Sequence, residues 1–120
     1  MTVIYDKVAV IGMGLIGASI ALAARRGELA TTIIGSDQSP EVAAVAARLQ
    51  LVDSFEADAV HAVADADLVI LAVPVGAVGK IAEQIVPHMK SGAVLTDTGS
   101  TKRSVVRDVA PHLRDDIIWL

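Results

Sequence analysis

A glycine-rich turn behind a buried strand constrains this chain more than any other segment. In VAVIGMGLIG, four apolar residues lead directly into Gly12, Gly14 and Gly17, and an Ala/Leu/Ile-rich segment follows. The pattern predicts a strand, a tight turn and a helix, in the G-x-G-x-x-G spacing of a dinucleotide-binding turn. We expect Gly12 to permit the turn, Gly14 to let the backbone approach a pyrophosphate, and Gly17 to let the helix pack closely on the strand. The free amides and positive dipole end of that helix would face the phosphates.

The rest of the chain alternates apolar runs with helical patterns. Unbroken or β-branched apolar runs predict strands at residues 7–11, 32–36, 68–72, 93–96 and 117–120, with a weaker edge strand at 51–55. Apolar residues at helical spacing predict helices over about 14–26, 40–49, 58–64, 78–89 and 102–113.

Several local signals refine the first two helices. Gly27 is placed to stop the first helix, and Ser39 is placed to cap the second. The first helix is apolar around most of its circumference, with Ile16, Ile20 and Ala23 on one face, so we expect it to be covered on more than one side. The second helix is expected to bury one face, formed by Val42, Val45, Ala46 and Leu49.

Strands that alternate with helices and read as apolar runs predict a parallel sheet with helices on both faces. The predicted fold is therefore a Rossmann-type, doubly wound α/β domain that spans residues 1–120. The last run, IIWL, stops at the start of the sixth main strand. Because termini usually lie at the surface, we expect a longer protein whose C-terminal part is absent here.

Composition excludes several classes of function. The chain has 120 residues and is 53% hydrophobic, yet no apolar run approaches the length of a membrane span. The N-terminus lacks the pattern of a secretory signal, and the absence of cysteine is compatible with a cytoplasmic protein. A net charge of −4 and 2% aromatic residues favour neither nucleic acid nor an anionic membrane as a partner.

Asp37 is the residue expected to select the cofactor. It ends the second predicted strand, twenty positions after Gly17. A carboxylate there accepts hydrogen bonds from the adenosine ribose and repels a 2′-phosphate, and no Lys or Arg follows nearby to neutralise one. The site is therefore predicted to prefer NAD over NADP, and the alternative is an ordinary loop aspartate.

Two further loops end strands at the carboxyl edge of the predicted sheet, where open α/β sheets bind ligands. Val73 and Pro74 either line the cofactor groove or simply terminate the fourth strand. The TDTGSTK loop contains Ser100, which is either a helix cap or a ligand-facing hydroxyl, and Lys102, whose first-turn position mildly favours a role at a ligand.

The three histidines, His61, His88 and His112, are expected to be ordinary surface residues rather than catalytic groups. No set of His, Asp and Glu has metal-ligand spacing, so no metal site is predicted.

Taken in order, GMGLIGASIALAARR, GSD, ADLVILAVPV and TDTGSTKRSVV resemble the N-terminal domain of the prephenate/arogenate (cyclohexadienyl) dehydrogenases. The resemblance covers nearly the whole chain. It implies oxidative decarboxylation of prephenate or arogenate with hydride transfer to NAD, in tyrosine biosynthesis. Ser100 matches the family serine near the substrate hydroxyl. The predicted cofactor-binding residues are Gly12, Gly14, Leu15, Ile16, Gly17, Asp37, Val73, Pro74, Thr98 and Gly99.

The sequence departs from the family at its end. The family's catalytic histidine follows a strand like the one at 117–120, and none of the three histidines here matches that position. The helical C-terminal domain, which the resemblance implies for dimerisation and the substrate pocket, is also absent. We therefore expect this chain to bind NAD without turnover. The alternatives are the same domain of a β-hydroxyacid dehydrogenase, a pyrroline-carboxylate reductase or another imine reductase, and a stand-alone NAD-sensing module.

Overall fold

The computed structural model describes residues 5–98 and 107–120. The strands are β1 (Tyr5–Ile11), β2 (Ala30–Ser36), β3 (Ser54–Glu56), β4 (Leu68–Leu71), β5 (Val94–Asp97) and β6 (Ile118–Trp119). The α-helices are α1 (Leu15–Arg26), α2 (Pro40–Arg48), α3 (Ala59–Val63) and α4 (Val75–Ile85). Short 3₁₀ turns follow at Val86–His88 and Ala110–His112, and residues 107–109 are helical.

All six strands form one parallel sheet in the order β3-β2-β1-β4-β5-β6. This arrangement confirms the predicted Rossmann-type, doubly wound fold. The chain runs outward from β1 to β3, then returns to the other side of β1 with β4. The carboxyl ends of β1 and β4 therefore flank the point where the winding reverses, which is where such sheets open a ligand crevice.

Alternate residues of each central strand enter two separate cores on the two faces of the sheet. In β1, Val8 and Val10 pack with α1 and α2, while Ala9 and Ile11 pack with α3 and α4. None of these four side chains is more than 3% exposed. Burial on both faces explains why β1 reads as an unbroken apolar run rather than as an alternating one.

The predicted packing of the first two helices is wrong in part. The buried face of α1 consists of small residues, Gly17, Ala21 and Ala24, whereas Leu15 and Ile16 are 86% and 60% exposed. Small residues let the helix lie close to the sheet, which turns the larger side chains at its first turn outward. In α2 only Ala46 is buried; Val42 is half-buried, and Val45 and Leu49 are exposed.

Element boundaries also differ from the predictions. The edge strand lies at Ser54–Glu56 instead of 51–55, because Leu51 belongs to the turn that closes α2 and donates its N–H to the carbonyl of Ala46. Gly27 ends α1 as its C-cap, as predicted; it has a right-handed φ of −81°, and the left-handed residue is its neighbour Glu28. Residues 102–106 of the last predicted helix lie outside the described residues.

Asp67 fastens the amino edge of the sheet. One oxygen of its carboxylate accepts the backbone N–H groups of Asp6 and Lys7, at 3.0 and 2.9 Å, and the other pairs with the ammonium group of Lys90. The hydrogen bond from Lys90, followed by that from the Lys7 backbone, lowers the pKa of Asp67 below its ordinary value of 3.8. Asp67 thus ties β1 to the segment before β5.

After the C-terminal end of α4, Arg114 also holds two segments together through hydrogen bonds to the backbone. Its guanidinium group donates to the carbonyls of Val86 and Met89, at 2.8 and 2.9 Å, and pairs with Asp116 at 2.6 Å. These bonds add a second partner to the Val86 carbonyl, which also accepts the Met89 N–H, and they hold the segment before β6 against the turn that follows α4. In the part of the chain that the structure describes, no helix is long and apolar enough to cross a membrane.

We predict that Asp67→Asn lowers the free energy of unfolding by about 1–2 kcal/mol at pH 7, because the charge-assisted bonds to two amides and Lys90 are lost. Since the folded-state pKa is depressed, the native contribution is present above the unfolded pKa and disappears as the pH falls through the folded value. In denaturant melts between pH 7 and pH 3, the difference in stability between the two proteins should therefore narrow as the pH falls below 3.8. Asp115→Asn, at an exposed acid outside this cluster, is the control. A constant gap across that range would contradict the electrostatic origin.

Candidate cofactor site

The glycine turn between β1 and α1 is built by close backbone contacts. Gly12 has a φ of +95°, and a Cβ atom there would lie 2.6 Å from the carbonyl oxygen of Ala72. A Cβ atom on Gly17 would lie 1.8 Å from the carbonyl oxygen of Gly12. Neither position has room for a side chain, so these two glycines bring the start of α1, the end of β1 and the end of β4 into contact.

Gly14 has a different environment. A Cβ atom there would meet nothing within 4 Å, so the packing of the turn does not itself require glycine. Gly14 is the N-cap residue of α1; no side chain caps the helix, and its first turn contains no acidic residue. The N–H groups of that turn, which lack partners within the helix, are therefore available to an anion together with the positive end of the helix dipole.

Asp37 follows β2 beside this turn and is half-buried. One carboxylate oxygen accepts the N–H of Met13, and the other accepts the N–H of Ser39, each at 3.0 Å. The carboxylate is thus fixed between the glycine turn and the start of α2. A carboxylate oxygen can accept more than one bond, so acceptor capacity remains on the cleft side. This positioning by two backbone amides was not foreseen from the sequence.

Two clefts open on either side of the glycine turn. The first has a volume of about 600 Å³ and is lined by Ile11, Gly12, Gly14, Ser36, Asp37, Gln38, Ala57, Asp58, Ala59, Ala72, Val73, Pro74, Ala77, Ile81 and Gln84. The second measures about 540 Å³ and is lined by Gly14, Leu15, Ile16, Ala72, Val73, Pro74, Val75 and Thr98. Gly14 and the segment Ala72–Pro74 border both clefts. Together the clefts follow the carboxyl edge of the sheet across the switch point.

Most of the residues predicted to bind the cofactor are brought together here. Asp37 lies in the first cleft, while Leu15, Ile16 and Thr98 lie in the second. Gly17 lies beneath the turn and lines neither cleft. Gly99 and Ser100 lie outside the described residues, as does Lys102, so their predicted roles stay predictions.

The sequence analysis missed the far wall of the first cleft. That wall consists of the loop after β3, with Asp58, and of one face of α4, with Ala77, Ile81 and Gln84. Asp58 reads as an ordinary helix cap, and its carboxylate does accept the Val60 N–H at 2.9 Å. The position of Asp58 at the carboxyl end of a parallel strand was the available signal, but the weak pattern of β3 concealed it.

The histidines in the described residues lie away from both clefts. His61 is exposed on α3, and His88 and His112 end the two 3₁₀ turns. In residues 5–98 and 107–120, no three His, Cys, Asp or Glu side chains lie close enough to hold a metal ion.

Comparison with known proteins agrees with this geometry. Residues 20–118 match the family model described as prephenate dehydrogenase, nucleotide-binding domain. A cyclohexadienyl dehydrogenase from Zymomonas mobilis is 38% identical over 96% of this chain. A prephenate dehydrogenase from Lactococcus lactis is 39% identical over 83% of the chain. The chain spans only 39% and 28% of those relatives, respectively.

Solved structures give the same result. The prephenate dehydrogenase of Aquifex aeolicus, in complex with hydroxyphenyl propionate and NAD+, matches with a TM-score of 0.84 and 27% identity, over 95% of this chain and 40% of that one. The arogenate dehydrogenase of Synechocystis matches with a TM-score of 0.80 and 29% identity, over 88% of this chain and 37% of that one. A 3-hydroxyisobutyrate dehydrogenase from Mycobacterium tuberculosis, at 21% identity, shares the fold alone. The family expected from the sequence is confirmed: this chain belongs to the nucleotide-binding domains of the prephenate dehydrogenases.

Proposed function

We propose that this chain binds NAD across the two clefts, as the nucleotide-binding part of an enzyme that oxidatively decarboxylates prephenate or arogenate. The observation that carries the proposal is the uncapped start of α1, which opens between the clefts with Asp37 beside it. The Aquifex relative, which holds NAD+, supports the choice of cofactor. We further propose that a separate C-terminal domain completes the substrate pocket and forms a homodimer, and that the enzyme is cytoplasmic.

The residues present fit a dinucleotide. The glycine turn offers backbone amides where a Cβ atom at Gly12 or Gly17 would block the close approach of the strand and helix. Gly14 leaves open space at the cap, and we assign the pyrophosphate to this point. The first cleft then takes the adenosine half, with Asp37 at the ribose, and the second takes the nicotinamide half.

The contribution of this chain to the reaction is binding and orientation. When bound, the nicotinamide supplies the hydride acceptor. Leu15, Ile16 and Val73 line the second cleft with apolar side chains, which would contact the flat ring of a nicotinamide. Thr98 lies at the end of β5, two residues before Ser100, and we place that serine at the substrate hydroxyl. The base that removes the hydroxyl proton is proposed to come from the C-terminal domain.

The resulting prediction is that this 120-residue chain binds NAD without oxidising prephenate or arogenate. Calorimetric titration with NAD should saturate, while NADH absorbance should stay at the baseline when either substrate is added. Addition of a full-length relative to the same cuvette is the positive control for the substrates. NADH formation by the chain alone would refute the assignment of the base to another domain. Absence of NAD binding by a folded chain, verified by circular dichroism, would refute the proposed function itself.

We propose that Asp37 makes the site prefer NAD over NADP. None of the residues that line the first cleft is Lys or Arg, so a 2′-phosphate beside Asp37 would meet a carboxylate and no compensating cation. Repulsion between two anions at short range adds to the loss of the ribose hydrogen bonds.

We predict that Asp37→Asn reduces the ratio of NAD to NADP affinity about tenfold or more, which corresponds to about 1.4 kcal/mol of discrimination. The amide retains an acceptor for one loop N–H but removes the negative charge. Titration of each variant with both cofactors measures the ratio. Glu41→Gln, which removes an acidic charge nearby in the first turn of α2, controls for long-range charge. An unchanged ratio in a folded Asp37→Asn protein would exclude Asp37 as the selector.

Alanine substitutions at Gly14 and at Gly17 are predicted to have different effects. Gly14→Ala should leave thermal stability nearly unchanged, because its Cβ atom enters open space, yet should weaken NAD binding at least tenfold by occupying the pyrophosphate position. Gly17→Ala should destabilise the fold by about 3 kcal/mol or more, because its Cβ atom meets a backbone oxygen that cannot move aside. Thermal melts and NAD titrations of both variants measure the two effects. Full NAD affinity in Gly14→Ala would remove the pyrophosphate from this position.

A further inference from the structure

The lining of the far end of the first cleft has the chemistry of a site for a flat base. Its walls are the small apolar residues Ala57 and Ala59 on one side, and Ala77 and Ile81 on the other. The walls belong to the loop after β3 and to one face of α4, and α3 packs directly against α4. Apolar residues of this kind contact the two faces of a planar ring, and polar side chains are then left to bind the atoms at the edge of the ring.

Three polar side chains are available at this end: Gln38, Asp58 and Gln84. An amide can present either its carbonyl oxygen or its NH₂ group, so neither glutamine distinguishes a donor from an acceptor on the ring. An ionised carboxylate only accepts. Asp58 is therefore the group among these three that can discriminate between an amino and a carbonyl substituent at the edge of a base.

The other carboxylate of the cleft is held beside the glycine turn, where we assign its remaining acceptor capacity to the ribose. Both oxygens of Asp37 accept backbone N–H groups, from Met13 and Ser39, beside the glycine turn. In Asp58, one oxygen accepts the Val60 N–H at 2.9 Å, which fixes the side chain. Among the described residues, no donor is found for the second oxygen. Asp58 thus combines a fixed orientation with a free acceptor in the cleft.

We propose that Asp58 is a specificity-determining residue that accepts a hydrogen bond from the 6-amino group of a purine, so that the cleft selects adenine over a 6-oxopurine. The inference rests on the proposed binding of NAD, and it adds how the base of that cofactor is recognised. A 6-oxopurine places a carbonyl oxygen where adenine has its NH₂ group. The carboxylate would then face a second acceptor at that point, and the ring would have to shift before its N1–H could reach the carboxylate.

The test compares NAD with nicotinamide hypoxanthine dinucleotide, which differs from NAD in this one substituent. Calorimetric titration of the wild-type chain should give about three- to tenfold tighter binding of NAD, the range expected for one charge-assisted hydrogen bond at an exposed carboxylate. Asp58→Asn should abolish or reverse this preference, because the amide can donate to the 6-oxo group. Asparagine caps helices about as well as aspartate, so α3 should be retained.

The amide of the Asp58→Asn variant could rotate and accept the hydrogen bond with its oxygen, so a second variant is needed. Asp58→Ser keeps a capping hydroxyl, but its side chain is too short to reach the base. The ratio of the two dinucleotide affinities should therefore fall close to one without reversing. Asp65→Asn removes an equal charge from an exposed turn outside the cleft and should keep the wild-type preference. Circular dichroism verifies that each variant is folded.

The outcomes separate the two levels of inference. Loss of the preference in both Asp58 variants, with retention in Asp65→Asn, supports base recognition by Asp58. Tight NAD binding with no wild-type preference, or with the same preference in Asp58→Asn, overturns this inference and leaves the proposed function standing. A folded wild-type chain that binds neither dinucleotide overturns both.

Discussion

The close contact of three backbone segments at the switch point is the constraint on which the rest of the structure depends. Gly12 lies against the carbonyl of Ala72, and Gly17 lies against the carbonyl of Gly12. Both contacts are so close that a Cβ atom at either glycine would overlap the carbonyl oxygen. This contact sets the distance between β1, β4 and the first turn of α1. It therefore determines both the packing of the central strands and the position of the uncapped helix end, so that one steric requirement serves the core and the cofactor site.

Elsewhere along the chain, as well as at this turn, charged side chains hold the loops by hydrogen bonds to backbone groups. Asp67 binds two amides at the start of β1, Asp37 binds one amide in the glycine turn and one before α2, and Arg114 binds two carbonyls in the segment after α4. Charge-assisted bonds to the backbone fix geometry more firmly than exposed ion pairs between flexible side chains do. Asp37 shows the consequence for function: the same carboxylate that we assign to the ribose is oriented by the turn that we assign to the pyrophosphate.

The two clefts along the carboxyl edge of the sheet differ in the chemical character of their lining residues. The second cleft is bordered by exposed apolar residues at the start of α1, Leu15 and Ile16. The first ends among small side chains beside Asp58, one of whose oxygens has no donor among the described residues. An apolar cleft suits a ring that must be shielded from water, and a slot with a polar edge suits recognition of a base. Leu15 and Ile16 are therefore exposed because they line a proposed binding cleft and do not belong to the core.

The strand–turn–helix at Gly12 to Gly17 and the parallel sheet with two covered faces follow from the sequence alone, because glycine spacing and unbroken apolar runs are local consequences of dense packing. The family follows from the resemblance of several motifs taken in order. The buried side of α1 is visible only in the folded structure, because its small residues contact the sheet while the larger Leu15 and Ile16 face outward. The tertiary structure also decided where β3 lies and that Asp58 shares a cleft with Asp37. The short β3 carries a weak local pattern, and residues separated widely in the sequence meet at one cleft only because parallel strands end at the same edge of the sheet.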